Sequence, residues 1–315
     1  MACSKVVNVN AYLSYASDVK RYRWPSVHEQ FSNWNAQQTL EMMDRHNIAF
    51  NIFSQSDTKP FNDAALSREI NEQYAQLISE YPKRFGGFAA LPLKSIDLTL
   101  HEIEYALDTL RLSGICLPSN FSGIYMGDPR YAEIWQEIDR RDATVFIRPS
   151  YPAVGSIGEV NLEHEIIESM FEITRVVTSL VYSGTKRRHP AANVIVANGG
   201  GAIPFLAWRL GYFATIFGVG EGELEDYDAI LKDIKSFYIE LTAAATQHSL
   251  PTILKLIEPS HLMMGFDFPV NDGCAVDEAQ TFISKYSELS EIEKNMIFSG
   301  TASKIIPGLN QISKI

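Results

Sequence analysis

Cysteine is scarce in this 315-residue chain: Cys3, Cys116 and Cys274 stand far apart and are odd in number. That excludes a disulfide framework and a CxxC zinc site, and makes a reducing, cytoplasmic setting the expectation. Positive charge is short as well, with 27 Lys and Arg against 38 Asp and Glu, a net charge of −11. The acidic residues are scattered, so nothing here builds a broad phosphate-binding surface, and nucleic acid is excluded as a partner. Long apolar runs are missing. The most apolar helical stretch, IPFLAWRLGYFATIFGVG at 203–220, is interrupted by Arg209 and falls short of a bilayer's width. No membrane partner is expected, and the stretch reads as a buried or subunit-facing helix. The opening MACSKVVNVNAYL has one lysine and no apolar segment of signal length, so export is not indicated. The seven histidines (His28, His46, His101, His164, His189, His248, His261) show no pairing at metal-ligand spacing. Nucleotide motifs are lacking too: VANGGGAIPF matches neither GxGxxG nor GxxxxGK[ST]. Backbone tightness at a strand exit accounts for those glycines better.

What is present is alternation. Eight short apolar runs end in polar or glycine-rich residues: 5–10, 49–56, 85–93, 114–120, 144–150, 193–201, 237–242 and 261–269. Each reads as a strand. Helical spacing fills the gaps at 36–47, 62–81, 96–110, 129–141, 165–189, 203–216, 228–235 and 246–257. Ile96, Leu100, Ile103, Leu107 and Leu110, at steps of four and three, put one apolar stripe against a sheet. Eight strands alternating with helices is the count of an α/β (β/α)8 TIM barrel, although a doubly wound open sheet alternates similarly. No low-complexity linker divides the chain, so residues 1–315 read as a single domain. Residues 13–35, rich in Tyr, Arg, Trp and Ser, form a small insertion after strand 1, a flap.

Chemistry in such barrels sits at the C-terminal strand ends. Read in order, those ends carry Asn10 and Tyr12, Asn120, Arg148, Asn198, Glu240 and Asp267. In VVNVNAYL, Asn10 and Tyr12 are two residues apart, so in a strand both side chains leave on one face. Each residue has a plain reading, such as a capping turn for Asn120 or a core ion pair for Asp267. Their shared placement is what points to a site.

Four blocks carry a further signal: YPKRFGGFAALPL with YALDTLRLSGICLPSN; YMGDPRYAEIWQEIDRRDATVFIRPS; SGTKRRHPAANVIVANGGGAIPFLAWR; and HLMMGFDFPVNDG. In order and spacing the chain resembles, almost end to end, the amidohydrolase-related barrels that include aminocarboxymuconate-semialdehyde and methylsalicylate decarboxylases. The resemblance implies a divalent metal at the barrel mouth, and also shows its ligands replaced. The family's first-strand His-x-His pair falls on Asn10 and Tyr12, and its fifth-strand histidine on Arg148. Its acid/base histidine falls on Asn198, and only the last-strand aspartate is kept, as Asp267. A zinc site needs three or four donors. One carboxylate beside a guanidinium, which has no lone pair, does not supply them. The expectation is therefore no metal and no cofactor.

In that setting Arg148 is a charge clamp for a carboxylate, enolate or phenolate, Tyr12 the proton donor and Asp267 the base, while Asn10 and Asn198 orient an oxygen. Substrate contacts are expected from Asn120, Glu240, Trp24 of the flap with Arg21 and Arg23, and His164, for which a solvated loop position is the plain alternative. The resemblance further implies that Arg209 reaches a neighbouring subunit's site and binds a substrate carboxylate there, hence a homodimer. The favoured function is a metal-independent lyase, decarboxylase-like or of related carbon-acid chemistry, on a small carboxylated, aromatic or polyketide-like molecule. A metal-independent lactone or ester hydrolase and an inert ligand-binding barrel are the alternatives.

Overall fold

The computed structural model describes residues 5–12, 35–55, 58–152, 162, 164–218, 226–271 and 273–309. Eight parallel strands lie in chain order: β1 (Val6–Ala11), β2 (Ile48–Phe53), β3 (Phe85–Ala89), β4 (Gly114–Pro118), β5 (Thr144–Arg148), β6 (Asn193–Val196), β7 (Tyr238–Glu240) and β8 (Leu262–Met263). Beyond β8 the chain returns to β1, where the Val9 N–H donates to Met264 O at 3.2 Å and the Tyr12 N–H to Phe268 O at 3.1 Å. Ala11 also bridges Phe268 in parallel. The sheet is a barrel, as the strand count predicts.

Strands covered on both faces read as apolar runs, and here all six residues of β1 and all five of β5 are buried. Asn8, a polar residue inside β1, is satisfied within the barrel: its Nδ2 donates to Asn51 Oδ1 at 2.6 Å, and its Oδ1 accepts from the backbone of Asn10 and Phe266. Such pairing offsets the desolvation of a buried amide.

Around the barrel run α1 (Ala36–Arg45), α2 (Ala64–Glu80), α3 (Ile96–Glu104), α4 (Ala132–Arg140), α5 (Glu168–Tyr182), α6 (Thr185–Arg188), α7 (Ile203–Phe217), α8 (Tyr227–Lys235) and α9 (Leu250–Leu254). Side-chain oxygens of Asn35, Asp63, Ser95 and Asp226 cap α1, α2, α3 and α8 by accepting first-turn N–H groups, which fixes where those helices start. The single helix expected over 165–189 is broken at Gly184, whose φ of 69° is left-handed and ends α5 before α6 begins. The pattern at 246–257 becomes helix only over 250–254, and α3 continues as a π-turn through Tyr105–Thr109. After β8 come α10 (Gly273–Lys285), α11 (Glu291–Asn295) and α12 (Thr301–Ile305), which the sequence reading leaves unassigned. A two-stranded antiparallel ladder, Asn120–Phe121 with Ile124–Tyr125, is likewise unanticipated. The proposed flap, with Arg21, Arg23 and Trp24, lies outside the described residues. Among the described residues no helix is long and apolar enough to cross a membrane.

Candidate active site

Arg148 closes β5 and points its guanidinium across the barrel mouth. Nη1 donates to Asn10 Oδ1 at 2.7 Å and to Ser54 Oγ at 3.0 Å, and Nη2 donates to Asp267 Oδ1 at 2.7 Å. The Tyr12 ring lies beneath, its centroid 4.9 Å from the guanidinium carbon. Burial alone would lower the arginine's pKa, but the Asp267 carboxylate and the neighbouring Tyr12 and Cys116 carry it above the usual value. The cation is permanent. Below it, burial pushes the Cys116 thiol up to about 11 against the pull of Arg148, so Cys116 stays a thiol and no nucleophile.

A second cluster hangs from β7. Glu240 is fully buried. Its Oε1 accepts from the Thr242 N–H at 2.6 Å and makes a short contact with the Thr242 hydroxyl. Its Oε2 accepts from the Asn198 N–H at 3.1 Å and from Asn10 Nδ2 at 3.4 Å. Asn10 Nδ2 also reaches Thr242 Oγ1 at 3.1 Å. Asn10 thus bridges the two clusters, giving its oxygen to Arg148 and its N–H groups to the Glu240–Thr242 pair. Desolvation, with a smaller contribution from Asp267, raises the Glu240 carboxyl to about 7 despite those donors. The side chain lies across Gly265, where a Cβ would stand 1.7 Å from Glu240 Oε1.

Both clusters meet a cavity of about 180 Å³ lined by Asn10, Tyr12, Arg148, Asn198, Thr242 and Asp267, with His164, Glu165, Ser169 and Asn271 at its wall. Three non-glycine residues on its rim, Asn198, Ala243 and Asp267, hold left-handed backbone at φ of 54°, 54° and 53°. Such strain gathers where side chains are aimed for a purpose.

The site residues named from sequence therefore separate. Asn10, Tyr12, Arg148, Asn198 and Asp267 converge on one cavity. His164 joins them, its Nε2 3.0 Å from Ser150 O and its ring 4.7 Å from that of Tyr151, rather than standing as a solvated loop residue. Glu240 lies beneath the floor and does not line the cavity. Asn120 is turned away: its Nδ2 donates to Ser150 Oγ, Tyr151 O and the buried carboxylate of Glu172, bracing the loop after β5. Arg209 does not line the cavity either; it stands exposed on α7, its guanidinium carbon 4.4 Å from the Phe213 ring centroid. Sequence reasoning missed Ser54 and Thr242. Their only signal is a hydroxyl at a strand's C-terminal end, in IFSQS and YIELT.

The donor set does not fit a divalent ion. Both Asn10 Oδ1 and Asp267 Oδ1 are occupied by a guanidinium that would repel the ion, and among the described residues no three His, Cys, Asp or Glu side chains converge.

An eight-stranded barrel with a charged pocket at its C-terminal mouth defines the class, an α/β-barrel of the TIM type. The chain belongs to the amidohydrolase family, whose model matches residues 29–307. A decarboxylase, macB, of Penicillium terrestre is 31% identical over 295 residues, 87% of this chain and 86% of that protein. The 6-methylsalicylic acid decarboxylase of Penicillium expansum is 29% identical over 256 residues, 79% and 77% of the two chains. The 5-carboxyvanillate decarboxylase of Novosphingobium aromaticivorans, solved with manganese and 4-hydroxy-3-methoxy-5-nitrobenzoic acid, superposes with a TM-score of 0.84 at 17% identity, covering 99% of this chain and 96% of that one.

Proposed function

We propose that this chain is a decarboxylase-type lyase for a small aromatic carboxylic acid and that it works without a divalent metal. The supporting observation is Arg148, buried and locked at 2.7 Å to both Asn10 and Asp267 in the middle of the mouth. Three of its five N–H groups are engaged, which leaves donors for a ligand oxygen in the cavity it lines. That oxygen is a phenolate or enolate and not the departing carboxylate. A clamp on the carboxylate would stabilise the ground state more than the transition state and slow the loss of carbon dioxide. With the phenolate held, charge that develops in the ring faces a fixed cation. Protonation at the carboxyl-bearing carbon then lets the C–C bond break and return its electron pair to the ring. Asp267, committed to Arg148, serves as counter-ion before base. Among the hydroxyl-bearing residues that line the cavity are Tyr12 and Thr242.

The relatives named as decarboxylases supply the first test compounds, 6-methylsalicylate and 5-carboxyvanillate. Carbon dioxide release is to be measured on purified protein with and without chelator, alongside metal content. Turnover untouched by chelator, at far less than one metal per chain, is the expected result. Activity that chelator removes and manganese restores would overturn the metal-free reading, and binding without turnover would favour the inert barrel.

The working unit we propose is a homodimer formed through α7. Phe205, Trp208, Tyr212, Ile216 and Phe217 on that helix are exposed in the single chain, an apolar patch of the kind that marks an interface.

A further inference from the structure

We propose that Glu240 and Thr242 form a proton relay into the cavity, with the buried carboxyl holding the proton and the threonine hydroxyl passing it to the bound molecule. The inference rests on the decarboxylase reading for the identity of the acceptor, and on geometry for the relay itself. Glu240 has no path of its own to the ligand, since it lies under the floor, whereas Thr242 lines the cavity and touches Glu240 Oε1. Within the Arg148 cluster no group is a proton store: Arg148 is a permanent cation, Asp267 is its ion-paired partner, and the amides of Asn10 and Asn198 exchange no proton.

Asn10 gives the threonine hydroxyl a defined polarity. Its Nδ2 donates to Thr242 Oγ1 at 3.1 Å, so one lone pair of that oxygen is taken. With Glu240 ionised, the hydroxyl hydrogen points down to the carboxylate. With Glu240 protonated, the acid donates into the second lone pair, and the hydroxyl hydrogen turns up into the cavity. In the transfer, the Thr242 O–H bond breaks as its proton bonds to the carboxyl-bearing carbon, and the Glu240 O–H bond breaks as its proton moves to Thr242 Oγ1. The C–C bond pair then returns to the ring as carbon dioxide leaves, and water reprotonates Glu240 along the same path. Charged and titratable groups that bear on Glu240 are Asp267, which favours the acid form, and Arg148, held off by the intervening Asn10 amide. A carboxyl poised near 7 by its dry site supports the arrangement. Gly265 is the matching requirement on β8's side, because a Cβ there would evict Oε1.

Infrared difference spectra of the full chain between acid and alkaline pH test the store. A protonated carboxyl C=O band that titrates near neutrality in the wild type and is missing from Glu240→Gln is expected. In Thr242→Val, which keeps Glu240, the band moves to higher frequency because its acceptor is gone. A Glu240 that stays ionised across the range, or a band unmoved in Thr242→Val, overturns the relay. With 6-methylsalicylate or 5-carboxyvanillate, Thr242→Val and Glu240→Gln should each lower kcat about a hundredfold with KM nearly unchanged. Glu240→Gln should also erase the limb of the pH profile near 7, and Thr242→Ser should restore turnover. Wild-type rates in Thr242→Val, or an unaltered pH profile in Glu240→Gln, likewise overturn it. If the wild type releases no carbon dioxide, the decarboxylase reading falls while the infrared arms alone decide the relay.

Discussion

Single residues in this mouth are constrained by charge before shape. Arg148→Met leaves Asp267 and the Asn10 carbonyl without their cation, a cost of about 2 kcal/mol, below that of a fully dry pair because the Asp267 side chain is 21% exposed. Adding Asp267→Asn removes the stranded charge. The double variant is therefore expected to melt above Arg148→Met alone, with neither showing turnover; a double variant less stable than either parent in thermal denaturation contradicts the pairing. Glu240 makes an opposite kind of contribution. Its folded pKa lies above the ordinary 4.5 at about 7, so between those values the folded chain holds a proton that the unfolded chain has released. Stability is then highest on the acid side of that window and falls as pH rises toward 7, by about 3 kcal/mol in all. Urea unfolding followed from about pH 5 to about pH 8 should show this contribution in the wild type and lose it in Glu240→Gln, whose stability should fall less with rising pH than that of the wild type. Glu137, held down to about 2 by Arg140 and Arg141, acts in the other sense and only in stronger acid.

Between β6 and α7 the chain turns through Asn198, Gly199, Gly200 and Gly201, all at positive φ. Gly201 is the tightest of them. A Cβ would stand 2.3 Å from Met170 O and 2.6 Å from Thr174 Oγ1, the same hydroxyl that caps the start of α7 by accepting from the Ala202 N–H. Gly201→Ala should cost about 3 kcal/mol and push α5 outward, moving Ser169 and Met170 at the cavity wall, so a lower Tm with a raised KM is expected in melting and binding measurements. That glycine run is legible in sequence as backbone tightness because it fits no phosphate motif. The eight strands are legible for a related reason: burial on both faces writes apolar runs, and the mouth writes polar residues at their ends. From those ends the pairing of Arg148 with Asp267 can be read directly, since strands five and eight both deliver a charged residue to the same rim. By contrast, α11 and α12 span five residues each and flank a π-turn, too short for a 3.6-residue period to declare itself. The placement of Glu240 is equally unreadable, because it depends on Gly265, just past β8, leaving room, and Asn120 misleads because the loop after β5, which it braces, is distant in sequence.

For the molecule as a whole, the unresolved account is the surface of α7. Phe205 is 84% exposed, Trp208 59% and Phe217 67%, and stacked rings run along the helix from Trp208 to Tyr212 and from Phe213 to Phe217. Isolated exposed apolar residues need no explanation, but a contiguous aromatic stripe on a chain of net charge −11 is what a stable contact covers and what a free surface avoids. A second copy of the chain fits because one helix packed against its own symmetry mate makes a self-complementary interface. Arg209 then ceases to be an odd cation in an apolar helix, since its guanidinium lies over the Phe213 ring within the same aromatic stripe. Sedimentation equilibrium should give a dimer for the wild type. Trp208→Glu, which places like charges opposite each other at the contact, should give a folded monomer with unchanged circular dichroism. If turnover needs the partner's Arg209, that monomer loses activity although its own Arg148, Asp267, Glu240 and Thr242 are intact. A wild type that sediments as a monomer, or a Trp208→Glu protein that remains dimeric, removes α7 as the interface.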